Sequence, residues 1–586
     1  MKRSNITLAT IAAIAIVAIL VGSFILHGQD DGPHDDMRTF PTEMTDADRS
    51  YTSPEEATET FDVAMRDLDS VLNDGSSQPG DVAEATRNAF IAYNSLSQQR
   101  DFAHLDYCFD PSGMREEHLE WESALDDATD AFNSGIRDAL NGEHLETVAD
   151  VVGSFGKRTS EYLGYTDLTD EQRSLTDERS ELISVYNDII STDYTWTDPE
   201  GRTWTFDSAY DSTVLTDPEK MEICQNIHRL QMDDATGVYI DIVRVNNDLA
   251  ETYGYHCYAD MEYKVEYGRE YSTKDAEMLF EDLGPALELR NELFEIIDGD
   301  ETLSSDTLDR LAEMGGRDII EAISPVIEDL GPEYKGYLDW MVRNGTIFLE
   351  SVEGQLNMGY STELAVNHGS LMYVVPGSWG VPMTVTHEFG HSANAGLNML
   401  PSECYDVSEI HSQGLEALVM VNAERVFGED ARALVASQML KMLTSVNMGA
   451  LRSDFELWAY ETEAEGTELT VDTVNSAYAR MAEEHGIDVD AYGLGAGYSW
   501  QSVHHLFDVP MYYVSYVTSS MNALELFVMA SEDYDGAVRT YLALTEQNDV
   551  HGYVQAVEMA GLSNMLDGRN VEAVMASVGE WIEENL

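Results

Sequence analysis

Five consecutive residues, His387-Glu388-Phe389-Gly390-His391, set two imidazoles and a carboxylate at a spacing suited to metal-assisted hydrolysis. On a helix, positions four apart share one face, so both histidines can reach one tetrahedral zinc ion. Glu388 projects one residue round from that face. There it can take a proton from a water acidified by the metal and later pass it to a leaving amine. The pattern points to hydrolysis of a peptide bond.

A catalytic zinc needs a third protein ligand and one open position. The carboxylates downstream are Glu403, Asp406, Glu409 and Glu416. Glu409 and Glu416 are seven apart and would share a helical face, so one could bind the ion while the other steadies an imidazole from behind. Spacing alone does not choose between them. His411 lies among these carboxylates, and His368 reads as a loop residue rather than a ligand.

The elements that must position these groups are mainly helical. Ser53-Pro54-Glu55-Glu56 opens a helix with a cap and a first-turn proline, and Phe61, Met65, Leu68 and Leu72 give it an apolar stripe. Gly75 to Gly80 should break it. Ser272-Thr-Lys-Asp275 opens another run as a capping box, with Gly284-Pro285 expected to close it. Strand signals are few. Leu371 to Val375 reads as a strand bounded by Gly369-Ser370 and Pro376-Gly377, just before the histidine motif, and Gly201 to Phe206 as part of a hairpin. A peptide adding beside the strand Leu371 to Val375 would be held through its main chain.

The 586 residues carry 109 acidic and 32 basic side chains, a formal net charge of −77. Such a chain repels phosphate backbones, which excludes nucleic acid as a partner. Seven lysines against 25 arginines suit either a salt-adapted source or a simply solvated acidic surface. After Lys2 and Arg3, Ile6 to Leu26 runs 21 residues without a charge, long enough to span a bilayer. The expectation is a membrane anchor with the remainder outside the cytoplasm, or secretion after signal cleavage as the alternative. Cys108, Cys224, Cys257 and Cys404 show no zinc-ribbon spacing and fit either disulfides or buried thiols. The expected organisation is a membrane segment over 1–26, a flexible acidic linker over 27–50, an N-terminal helical region over 51–270 and a catalytic region over 271–586.

His387 to His391, followed by Glu409-Ile-His-Ser and Glu416, resembles the thimet oligopeptidase and oligoendopeptidase F family of zinc metallopeptidases, most closely its Pz-peptidase-like branch. Asn344 to Glu350, Met358-Gly-Tyr-Ser-Thr362 and His505 to Tyr516 are similar to further family segments, in order along the chain. Gln355 departs from the pattern, standing where relatives commonly carry lysine. The resemblance implies a mainly α, two-lobed clam-like fold with a deep cleft and a small sheet beside the zinc helix. It implies one zinc per chain, Glu409 as third ligand and Glu416 as the partner behind it. It makes His505, Tyr513 and Tyr516 donors to the oxygen on which charge grows in the transition state; Tyr512 and His504 are neighbours that a change of register would promote. The implied activity is endopeptidase cleavage of short, unstructured peptides. The rivals are a carboxypeptidase or dipeptidyl carboxypeptidase, and a non-catalytic peptide-binding surface protein.

Overall fold

A computed structural model describes residues 41–586 except 156, 158, 164–167, 398–403, 491 and 548–551. The first helix, α1 (Pro54–Asn73), starts where the sequence places it: Ser53 caps it by accepting from the Glu56 amide, and Phe61 and Leu68 are buried. It packs with α2 (Pro79–Phe109) and α3 (Arg115–Leu140) around a core of their own that includes Phe90, Trp121, Leu125 and Phe132. A second and larger core begins at Phe102 on α2 and runs to Ile582.

That larger body holds α4 (Asp170–Ser191), the hairpin β1 (Trp196–Thr197) and β2 (Thr203–Trp204), and α5 (Asp217–Thr252). Ser272 and Asp275 form the expected reciprocal cap of the helix Thr273–Glu281. Gly284-Pro285 does not close that run. It opens the next helix, Gly284–Gly299, because a proline in the first turn lacks only an N–H that has no helical partner there.

Helix α6 (Pro332–Asn344) ends at Gly345, whose φ of 58° is a left-handed cap that favours glycine, and the chain turns into a three-stranded sheet. Its strands are β3 (Ile347–Phe348), β4 (Gly359–Leu364) and β5 (Gly369–Val374), in the order β3-β5-β4. β3 runs parallel to β5 and β4 antiparallel to it, with Gly359 opposite Val374 and Leu364 opposite Gly369. The strand foreseen at Leu371 to Val375 is therefore the central one, flanked on both sides and fully buried. The outer strands are the two-residue β3 and the longer β4, which is half-buried along most of its length. β5 is paired on both sides, so the long edge for a peptide to add beside is that of Gly359–Leu364.

Beyond the sheet come α7 (Val381–Leu397), α8 (Tyr405–Val421), α9 (Ala431–Ala464) and α10 (Tyr513–Glu532). The fold is mainly α, many helices around small sheets, in keeping with the two-lobed clam-like class. Cys108, Cys224, Cys257 and Cys404 are all buried, and none is in a disulfide.

The membrane-anchored topology read from the sequence is corrected here. Among the described residues no helix is long and apolar enough to cross a membrane. Of the longest, α5 carries carboxylates along its length and α9 is interrupted by Arg432, Lys441, Arg452 and Asp454; both bury apolar residues in the core. Ile6 to Leu26, where the span was expected, lies outside the described residues, as does most of the linker. Membrane attachment, a single-pass location and the secreted alternative are not retained.

Candidate metal centre

α7 carries His387, Glu388 and His391, and α8 carries Glu409 and Glu416. The two helices meet at Gly390. A Cβ there would lie 2.7 Å from the Ser412 Cα and 2.9 Å from the His411 carbonyl oxygen, so only glycine lets the backbones approach this closely. That approach delivers Glu409 to the imidazoles. Gly390→Ala is expected to lower stability by about 1–3 kcal/mol through overpacking. It should also weaken metal binding by moving α8 outward, which thermal denaturation and metal titration of the same sample would read.

His387 Nε2, His391 Nε2 and Glu409 Oε2 converge on one point. They are separated by 3.2 Å between the imidazoles and by 3.6 and 3.8 Å from each imidazole to the carboxylate. Ligands about 2.0 Å from a tetrahedral zinc stand about 3.3 Å apart, so the donor set fits such an ion in both chemistry and spacing. Each ligand has a partner behind it. His387 Nδ1 donates to Glu416 Oε1 at 2.7 Å, and Glu416 in turn accepts from Gln438. That bond turns the Nε2 lone pair toward the shared point. Ser408 Oγ stands 3.4 Å from His391 Nδ1, and Ser412 Oγ donates to Glu409 Oε2 at 3.1 Å.

Glu388 is not in this set. It is buried under β4, hydrogen-bonded to Ser361, with a Cβ position at Gly359 only 3.3 Å from its Oε1. Burial pushes its carboxyl up to about 7, against the pull of the charge on His387. Burial works to lower the His387 pKa, but the Glu416 hydrogen bond and charge, with Glu409 and Glu388, outweigh it and raise it to about 9. Burial holds His391 down at about 4. Glu409 is buried too, yet the two imidazoles and the Tyr512 and Ser412 hydrogen bonds keep it below its usual range.

Comparison with solved structures bears on the whole chain. Pz peptidase A, solved with an inhibitor, matches with a TM-score of 0.69 and 17% identity over 91% of this chain and 98% of its own. A structure provisionally assigned as an oligoendopeptidase F matches at 0.67 and 17%, over 91% and 97%. The oligoendopeptidase-F of Enterococcus faecium matches at 0.56 and 13%, over 90% and 97%. The chain has the oligoendopeptidase F fold. No protein-family model and no curated protein matches it, and at these identities the likeness is one of fold.

Within the oligoendopeptidase fold the aromatic residues near the centre are arranged as follows. Tyr512 donates to Glu409 Oε1 at 2.5 Å, and its ring lies 5.2 Å from that of Tyr516. Tyr516 is close enough to Glu409 and Glu388 for their charges to add to burial in raising its phenol. The Tyr513 ring lies 5.6 Å from that of Tyr516 and is covered at 4.6 Å by the Arg452 guanidinium. His505 packs 5.6, 5.4 and 6.3 Å from the rings of Tyr512, Tyr513 and Tyr516, and burial lowers its pKa to about 4. His504 is exposed.

Other candidates fall elsewhere. His411 is buried, its Nδ1 3.3 Å from Thr545 Oγ1, and it belongs to packing around Tyr541. His368 sits in the β4–β5 turn at φ 55°. Glu403 is outside the described residues. Asp406 is a tether for α8: it accepts from Tyr271 at 2.8 Å and Ser515 at 2.5 Å, and it faces Arg269 at 3.4 Å. Arg269 is itself fully buried between the rings of Tyr263 and Tyr267, at 4.4 and 4.2 Å. Arg269 and Gln438 carried no sequence signal.

Proposed function

We propose that the protein is a zinc-dependent endopeptidase acting on short, unstructured peptides, with His387, His391 and Glu409 holding one ion. The observation that carries this reading is the convergence of those three donor atoms beside a separate buried carboxyl, Glu388. Zinc held there would supply Lewis acidity, making a water acidic and polarising a carbonyl. Everything else falls to the chain. Glu388 takes the proton of the attacking water and returns it to the departing amine, which its lack of a place among the ligands leaves it free to do. Ser361 holds that carboxyl in place from β4. An extended substrate lies along the open side of β4, paired through its main chain, so its scissile bond comes over Glu388. Tyr516, its ring 5.2 Å from that of Tyr512, and His505 are the donors to the carbonyl oxygen as it gains charge. Tyr512 fixes Glu409, and Tyr513 supports the cluster through Arg452.

A quenched peptide blocked at both ends tests the proposal. Cleavage that chelation abolishes and zinc restores supports an endopeptidase. Cleavage only after the C-terminal block is removed would favour a carboxypeptidase, and no cleavage with zinc bound would favour a binding protein.

A further inference from the structure

A second group of metal-type side chains lies apart from this centre. On α2, His104 and Cys108 are four apart, one turn beyond Arg100 and Asp101; on α3, His118 and Glu122 are four apart. His104, His118 and Glu122 each offer a donor atom, all within 4.8 Å of one another. The side chains of His118 and Glu122 are 0% and 2% exposed.

Several atoms of these residues have no hydrogen-bond partner: Nδ1 and Nε2 of His118, Nδ1 of His104 and Oε2 of Glu122. A buried polar atom without a partner costs free energy, and several this close together are unusual unless something binds between them. The His104 Nε2 faces Cys108 Sγ at 3.5 Å, leaving Nδ1 as its free nitrogen. Glu122 Oε1 lies 3.4 Å from His118 Nδ1, out of hydrogen-bond alignment, and 3.9 Å from Arg100 Nη1. Arg100 opposes a cation, but it is nearer to Asp101, at 3.5 Å, so the local charge is not left positive. His118 is stacked on Tyr107 at 4.4 Å, which fixes its ring. His104 as a whole is partly exposed.

We infer that His104, His118 and Glu122 form a second site for a divalent ion of the zinc class, apart from the proposed catalytic centre. Two nitrogens and one carboxylate oxygen are a donor set that suits zinc. The ion would clamp the α2–α3 pair to the outer strand of the sheet. The contacts that carry the clamp are present: His104 packs 5.1 Å from the Tyr360 ring on β4, and the Cys108 carbonyl accepts from the Leu356 amide at 2.9 Å. Ser361, which holds Glu388, is the next residue after Tyr360.

The test is metal content of the full chain, stripped with chelator, reloaded with zinc and desalted in high KCl with excess magnesium, since the acidic surface would otherwise hold zinc loosely. Two equivalents are expected for the native sequence. The variant His391→Ala/Glu409→Ala, which leaves the second site intact, should keep one equivalent and gain thermal stability on zinc addition. Adding Glu122→Gln to it should remove that equivalent while circular dichroism shows the fold retained. A folded His391→Ala/Glu409→Ala protein that holds no zinc overturns the inference, as does an equivalent that survives both Glu122→Gln and His118→Gln. Because the readout is stoichiometry in a catalytically disabled chain, its failure is distinct from failure of the proposed peptidase activity.

Discussion

Glu388→Gln should keep the full metal content of the protein while peptide turnover falls by roughly 10²–10⁴-fold, the usual worth of a positioned general base. The substitution keeps shape and volume. Glutamine can still hydrogen-bond Ser361, and Glu388 is outside the donor set of His387, His391 and Glu409. What is lost is the ability to accept a proton. Burial of an amide is also no harder than burial of a carboxylate, so the variant should denature at or above the native midpoint. Elemental analysis and initial rates on one preparation decide the matter. Near-native turnover would remove Glu388 from the chemistry, and loss of metal would make it a ligand.

The second large effect is expected at Glu409. Its carboxylate is 3.6 and 3.8 Å from the two imidazole nitrogens and takes hydrogen bonds from Tyr512 and Ser412. Glu409→Ala removes a donor and takes the acceptor from the Tyr512 hydroxyl, while Ser412 keeps the main-chain carbonyl of residue 409, so metal affinity should fall by more than the roughly 10–100-fold that loss of an orienting partner costs. Glu416→Gln sets that smaller scale, because Glu416 touches His387 and not the shared point. A competition titration with a chelating dye should rank Glu409→Ala well below Glu416→Gln, with Tyr513→Phe near the native protein. Equal losses at 409 and 416 would contradict the assignment of ligand and support.

The sequence was most legible where local spacing determines geometry. Residues four apart on a helix must share a face, and so His387 and His391 could be paired without a structure. The capping residues Ser53 and Ser272 likewise announce their helices. Glu409 was harder, because two carboxylates seven apart are equivalent until Gly390 is seen bringing the helices into contact. The tyrosines were harder still. Tyr512 and Tyr513 are adjacent and point about 100° apart, and only the start of α10 at Tyr513 decides which phenol reaches Glu409. The strand reading erred in a systematic way. An apolar run such as Leu371 to Val374 signals burial, which marks an interior strand, whereas the mixed Gly-Tyr-Ser-Thr-Glu-Leu of β4 gives little signal. Arg269 and Asp406 are 137 residues apart, a pairing that no local pattern reports.

If substrate lies along β4 as proposed, the outer position of that strand sets what the protein can tell apart. A guest chain laid against that border is gripped by its amide hydrogens and carbonyls, which nearly every residue offers alike. Proline is the exception, having no hydrogen to give, and it also resists the straight conformation needed over several residues. Discrimination by such a surface falls on backbone type and on length, with the identity of most side groups left almost unread.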